Sequence, residues 1–324
     1  MTDGRETDGR GTTGPGGVVR EVFGGAARVV ARSRLSGGAS RETWSVDVAD
    51  AAGRRHALVL RLASGPGPAG GLGGELEGGL RGEAELMRQA GRAGVPVPGV
   101  VAATDAYLVM TRVEGETIPR RILRDDLYRD ARPRLAAQCG QALAAIHRMP
   151  VPGGEAADPL RRWRDLLDLT GQPHPVFELA FRRLAGTRPA PAGRVLVHGD
   201  FRNGNLIVGP EGLRAVLDWE LAHPGDPLED LGWLCVRAWR FGAAPPVGGF
   251  GHYDELIGAY ERAGGRPVDR DALRWWETFG VLKWGIICVM QAMRHLRGGE
   301  RSVELAAIGR RVCENEWDLL RMLD

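Results

Sequence analysis

Apolar and polar positions in the first third of the chain alternate with the period of strands. Ala27–Leu35, Thr43–Asp50 and Arg55–Ala63 are apolar-rich or alternating runs divided by glycine-containing turns, and they predict three antiparallel strands. Gly65–Gly79 is too glycine-rich for a regular element and reads as a mobile loop. Leu80–Gly94 predicts one short helix, ended by Gly91 or Gly94 and the "VPVP" that follows. Pro98–Thr104 and Ala106–Val113 predict two more strands.

Beyond "EGETIP" the period lengthens to that of helices. In Tyr128–Met149 the apolar positions Leu135, Cys139, Ala142, Leu143 and Ile146 form a helical stripe. Further helices are predicted over Pro175–Leu184, Leu228–Arg240, Tyr253–Ala263, Asp271–Leu296 and Val303–Met322. Among them lie short apolar runs, Val195–Val197 and Leu206–Val208, that read as buried strands around the loop His198–Asn205. The predicted class is α+β: a tail at 1–17, a small antiparallel β lobe with one helix at 18–113, and a larger, mostly helical lobe at 114–324.

Composition narrows the field. A chain of 324 residues can hold two cores. A net charge of +2 supplies no strong field for nucleic acid or an acidic membrane, so neither is expected as a partner. Lys283 is the only lysine beside many arginines, a bias that fits a GC-rich coding sequence. Cys139, Cys235, Cys288 and Cys313 are far apart and form no CxxC pair, which argues against a disulfide framework or zinc site and points to a reducing cytoplasm. The most apolar stretch, Val281–Met293, is short for a membrane span and contains Lys283.

The candidate chemistry lies in "VLVHGDFRNGNLIV", Val195–Val208. Alone, Asn203-Gly204-Asn205 is equally a turn. Two features favour a site. Asp200 and Asn205 have the D-x-x-x-x-N spacing of a kinase catalytic loop, and a further apolar run, "RAVLDWE", brings Asp218 to a strand end thirteen positions later. Phosphoryl transfer needs a carboxylate at the acceptor hydroxyl, and an acid plus an amide oxygen to hold magnesium on the phosphates. These three residues supply that set.

The motifs "HGDFRNGNLIV", "VLDWELAHPGDPLEDLGWL" and "MTRVEGETIPRRIL" closely resemble the aminoglycoside phosphotransferase and choline-kinase-like family of small-molecule kinases, over most of Arg28 to Trp239. The nearest branch is similar to the kinase-like N-terminal domain of certain acyl-CoA dehydrogenases. The resemblance implies a protein-kinase-like fold, ATP or GTP as donor, Mg2+, and a hydroxyl of a small molecule as acceptor. By position, Asp200 would be the catalytic base, and Asn205 and Asp218 the magnesium ligands. His198 and His147 are expected to brace the structure, and Asp226 and Asp230 to cap and anchor the helix after them.

The small lobe would hold nucleotide. Gly37, Gly38 and Ser40 lie between the first two strands, where a kinase-like fold places its glycine-rich phosphate cover. Strand three departs from the family pattern, offering Arg61 where a kinase has lysine; Glu83 is its expected partner and Glu85 the fallback. The backbone around Met110, Arg112 and Val113 would read the adenine edge, with Val59 above the ring. Glu220 and His223 are candidate walls for the acceptor. A nucleotide-binding pseudokinase without turnover is the competing function, motivated by Arg61.

Overall fold

The computed structural model describes residues 14–35, 42–63, 79–151, 153, 157–298 and 301–323. The chain divides into two units, one running to Gly115 and taking in Arg214–Leu221, the other formed by Glu116–Leu213 and the chain from Ala222 onward. Asp218 and Glu220 therefore group with the sheet unit, whereas their sequence positions had suggested the helical lobe at 114–324.

The first unit is built on five antiparallel strands, β1 (Arg28–Leu35), β2 (Glu42–Ala49), β3 (Arg55–Leu62), β4 (Val100–Ala103) and β5 (Tyr107–Thr111), in the order β1-β2-β3-β5-β4. The period of two along β3 sends Leu58, Leu60 and Leu62 to one face and Val59 and Arg61 to the other. The leucine face packs with Val46, Val48 and Val109 against Val18 and Val19 of α1 (Pro15–Phe23). Each such apolar side chain contributes roughly 1.5–3 kcal/mol.

That helix corrects the sequence reading, which had a tail to residue 17 and a single helix in this lobe. A glycine-rich segment has little intrinsic helicity. Pro15 at the first turn and burial of two valines under the sheet form it instead. The expected helix, α2 (Gly79–Arg92), buries Leu80, Ala84, Met87 and Ala90, together with Glu83. The predicted positions Gly37, Gly38 and Ser40, and nearly all of the glycine-rich loop after β3, lie outside the described residues.

The second unit holds α3 (Pro119–Arg124), α4 (Arg132–His147), α5 (Pro159–Asp168), α6 (Pro175–Gly186), β6 (Val195–Val197) and β7 (Leu206–Gly209). The chain passes through β8 (Gly212–Val216) into the first unit and returns to form β9 (His223–Gly225) and α7 (Pro227–Cys235). Then follow α8 (Tyr253–Arg262), the long α9 (Arg270–Leu296), α10 (Val303–Gly309) and α11 (Val312–Leu323). Asp158, Asp226 and Asp269 accept backbone N–H bonds at the starts of α5, α7 and α9, as residues of this type do at an N-cap. Among the described residues no helix is long and apolar enough to cross a membrane.

Two predicted helices are broken. α7 stops at Cys235, where Val236 turns to ψ 133°, and Arg240 folds back to donate to the Cys235 carbonyl at 3.2 and 2.8 Å, satisfying a C-terminal acceptor. A short 3-10 turn, Arg237–Arg240, follows, and Phe241 takes the left-handed conformation at φ 47°. The run Val303–Met322 divides at Gly309, whose Cα lies so close to Ala292 of α9 that a methyl there would stand 2.5 Å from the alanine Cβ.

Close helix contact is also visible where α4 meets α8. A Cβ on Gly140 would lie 2.5 Å from the Leu256 carbonyl oxygen and 2.9 Å from the Tyr260 nitrogen, both backbone atoms that cannot swing away. Gly→Ala inside a helix ordinarily gains about 1 kcal/mol. Here Gly140→Ala is expected to reverse sign and destabilise by about 1–3 kcal/mol through overpacking. A urea midpoint raised by the alanine would show that the two helices do not approach in this way.

Candidate active site

The loop that carries Asp200 leaves a wholly buried strand. β6 pairs antiparallel with β9, Val197 opposite His223. Immediately beyond, the Asp230 carboxylate of α7 accepts the backbone N–H of His198 at 2.7 Å and of Gly199 at 2.9 Å, and meets His147 Nε2 at 3.1 Å. His147 in turn contacts the Tyr260 hydroxyl through Nδ1 at 2.9 Å. Asp230 is fully buried. Burial pushes its carboxyl up, but the hydrogen bonds and charge of His147 and the His198 peptide outweigh that and hold it below the ordinary carboxylate value. Asp226 caps α7 as expected; Asp230 does more, because it bolts α7 to the loop.

The Asp200 carboxylate is surrounded by donors. Arg202 Nε donates to both oxygens at 3.0 and 3.2 Å, Trp233 Nε1 donates to Oδ1 at 2.8 Å, and Asn205 Nδ2 donates to Oδ2 at 2.6 Å. The same amide donates to the Asp200 carbonyl at 3.0 Å. A carboxylate only accepts, so these bonds fix the Asn205 amide with its nitrogen toward Asp200 and its oxygen on the other side. Asn203 is an anchor as well as a turn residue: it is fully buried and donates to the Gly248 carbonyl at 2.7 Å. The Arg202 guanidinium lies 4.6 Å from the centre of the Trp239 ring.

His223 faces Glu229 Oε2 at 3.2 Å, and the other Glu229 oxygen, Oε1, takes Lys283 Nζ at 3.3 Å. Burial acts to raise the Glu229 carboxyl, yet the charges of His223 and Lys283 bring it down to about 2.

The sheet unit carries the second group. Arg61, the next-to-last residue of β3, ion-pairs with Glu83 of α2, and its Nη2 lies 3.4 Å from Glu220 Oε2 and 3.5 Å from Asp218 Oδ1. Burial disfavours the guanidinium charge, but Glu83, Asp218 and Glu220 outweigh it and hold Arg61 above its ordinary value. Glu85, the fallback partner, instead contacts Arg88 and Arg92 on the helix surface. Glu220 was read as a wall for the acceptor; it sits on Arg61. Asp218 lies two residues past the end of β8 at φ 66°, a left-handed conformation uncommon outside glycine.

The linker residues are largely committed to the sheet. Met110 is within the ladder, opposite Val59 on β3 and Val100 on β4. The Arg112 N–H donates to the Ala57 carbonyl at 2.9 Å, while its guanidinium reaches Ser45 Oγ at 3.0 Å and Asp47 Oδ1 at 2.9 Å. Val113, half-buried, lies past the end of β5.

The oxygen donors suit a hard cation. Asp218 Oδ1 is buried and has no hydrogen-bond partner among the described residues beyond its 3.5 Å approach to Arg61. No cluster of three or more histidine, cysteine, aspartate or glutamate side chains able to hold a metal occurs among the described residues. Magnesium does not need one, since it is commonly held by one or two protein oxygens with phosphates and waters.

The chain belongs to the phosphotransferase enzyme family, whose model matches residues 32–276. It is 29% identical to acyl-CoA dehydrogenase family member 10 of Mus musculus over 197 residues, 53% of this chain and 18% of the mouse protein, so the match spans under a fifth of that relative's length. Among solved structures, a Ralstonia eutropha JMP134 protein assigned as an aminoglycoside phosphotransferase aligns with a TM-score of 0.66 at 20% identity, covering 94% of this chain and 96% of its own. A choline/ethanolamine kinase family protein of Mesorhizobium loti aligns with a TM-score of 0.61 at 20% identity, covering 90% and 91%. The fold is protein-kinase-like.

Trp233, Arg202, Glu229 and Lys283 were not selected from sequence as site residues. Lys283 left one signal, as the only lysine in the chain. Arg202 lies inside the loop motif itself. Trp233 and Glu229 carry no local mark, because only the packing of α7 under the loop brings them in.

The depressed value at Glu229 has a measurable consequence. Its folded-state carboxyl, at about 2, lies below the unfolded value near 4.5, so it contributes stability at neutral pH that is lost as pH falls between them. The urea midpoint is expected to drop from about pH 5 to about pH 3. Glu229→Gln should flatten part of that drop; an unchanged slope would mean that the carboxylate is not held ionised.

Proposed function

We propose that this protein is an ATP-dependent kinase transferring the γ-phosphoryl group to a hydroxyl of a small molecule. The observation that carries this reading is the Asp200 carboxylate, oriented by Arg202, Trp233 and Asn205 on a loop bolted to α7. Family membership supports it, as do solved neighbours that hold ADP or ATP.

In this reading Asp200 accepts the hydrogen bond, and then the proton, of the acceptor hydroxyl as its oxygen attacks the γ-phosphorus and the bond to the bridging oxygen breaks, releasing ADP. The donors already on Asp200 fill about four lone-pair positions of a carboxylate. A hydroxyl can join them by displacing the bridging Arg202 Nε, which alone spans both oxygens. The family resemblance implies Asn205 and Asp218 as magnesium ligands, and the cation would neutralise phosphate charge. Arg61 takes the position of the usual phosphate-contacting lysine, with Glu83 as its partner. Its planar fork suits bidentate contact with phosphate oxygens. We assign the protein to a reducing cytoplasm, in keeping with its four free cysteines, three of them buried.

One observation favours a nucleotide-binding protein without turnover: Arg61 already meets three carboxylates. Thermal shift with ATP and magnesium, followed by a metabolite screen for phosphate transfer from labelled ATP, separates the readings. The kinase reading expects an ATP-dependent rise in melting temperature and transfer to at least one alcohol. Stabilisation without transfer to any acceptor, in conditions where a control kinase works, selects the pseudokinase. Asp200→Asn is expected to lower acceptor-dependent ADP release by at least about 10²-fold, the range for loss of a general base, with the ATP-induced thermal shift retained. Full activity in that variant would show that another group is the base.

A further inference from the structure

Lys283 is the only lysine of the sequence, and it is buried near the middle of α9. Its Nζ donates to the Gly199 carbonyl at 3.1 Å and to Glu229 Oε1 at 3.3 Å, and stands 4.5 Å from the centre of the Trp233 ring. Gly199 precedes Asp200 in the chain. Trp233 is the residue whose indole N–H donates to Asp200 Oδ1 at 2.8 Å. One ammonium group thus touches both the peptide that leads into the Asp200 loop and the ring that holds the Asp200 carboxylate.

The chemistry of the position calls for lysine. An ammonium has three donors in a tetrahedral arrangement. Here two oxygens and the Trp233 indole surround it at short range, with the Trp163 ring further off at 5.7 Å, and the ring faces attract the cation through their quadrupoles. A guanidinium is planar, bulkier and forked, and cannot send separate interactions along these three directions. In a chain that otherwise uses arginine for every permanent positive side-chain charge, a lysine here is a geometric choice. Glu229 ties the ammonium to the rest of the loop's frame. Its second oxygen meets His223 on β9, the partner of the strand from which the loop issues.

We propose that Lys283 is a positioning residue for Asp200, setting the direction of its carboxylate through the Gly199 carbonyl and the Trp233 ring. Its effect on turnover rests on the kinase reading; its effect on the loop does not. The test uses Lys283→Met, Lys283→Arg and the double variant Lys283→Met/Glu229→Gln in the full chain. The double variant guards against failure to fold, since it leaves no buried carboxylate without its lysine.

The first readout is the indole 1H–15N resonance of Trp233, identified by its loss in Trp233→Phe. It is expected to move and to exchange faster with water in every folded variant, Lys283→Arg included. The second is ADP release with an acceptor from the metabolite screen: kcat is expected to fall about 10²-fold, the scale of a 1 Å misplacement, with KM for ATP within about twofold. An unmoved resonance in the folded variants overturns the proposal whatever the activity. So does a moved resonance with wild-type kcat, or a Lys283→Arg variant that matches wild type in both readouts. If the wild type transfers phosphate to no acceptor, a moved resonance still supports the positioning role, and the kinase reading is what fails.

Discussion

The Asp230 carboxylate is the contact on which the candidate site depends. A fully buried carboxylate is tolerated only when its oxygens are saturated, and the partners here are two successive backbone N–H groups and a buried histidine. The cost of burying the charge becomes a constraint on the chain. The peptides of His198 and Gly199 have to point at α7, Gly199 takes a left-handed turn at φ 83°, and Asp200 emerges in one direction. Everything that touches Asp200 is built on that direction.

Both units reach their candidate residues by the same device, a buried charge surrounded by opposite charges or oriented dipoles. In the sheet unit Arg61 is the centre, with Glu83, Asp218 and Glu220 around it. In the helical unit Glu229 is the centre, between Lys283 and His223. Breaking one member of such a group costs more than removing the whole group, because a charge is left behind in a poorly solvated place. That penalty keeps the side chains in one arrangement. Pre-set geometry of this kind is what electrostatic catalysis requires of a protein.

Legibility followed the range of the interaction. Strands β1 to β3 were readable because alternation is local, and Glu83 was the expected partner of Arg61 by its place in α2. Helix α1 was not readable, since its two buried valines mean nothing until a sheet covers them. Two predicted helices divide where Gly309 meets Ala292 and where Arg240 folds back on the Cys235 carbonyl, and neither contact is visible as a periodicity. Lys283 stood out in composition, but only the excess of arginine around it was interpreted, as a mark of a GC-rich coding sequence; its partners come from 54 and 84 positions away.

The order Asp200, Asn205 and Asp218, with apolar runs before Asp200 and between Asn205 and Asp218, is a property of the chain alone, as are the alternating strands and the helical stripes elsewhere in it. Local steric and hydrophobic rules suffice for these, because each acts over a few residues. Which way Asp200 points was decided only in three dimensions, by Trp233 and Lys283 packed under the loop and by Asp230 bonded to its peptides. So was the grouping of Asp218 and Glu220 with Arg61 rather than with the helices around them in sequence. Hydrogen bonds and ion pairs depend on distances of a few ångströms between side chains, and sequence separation carries no measure of those distances.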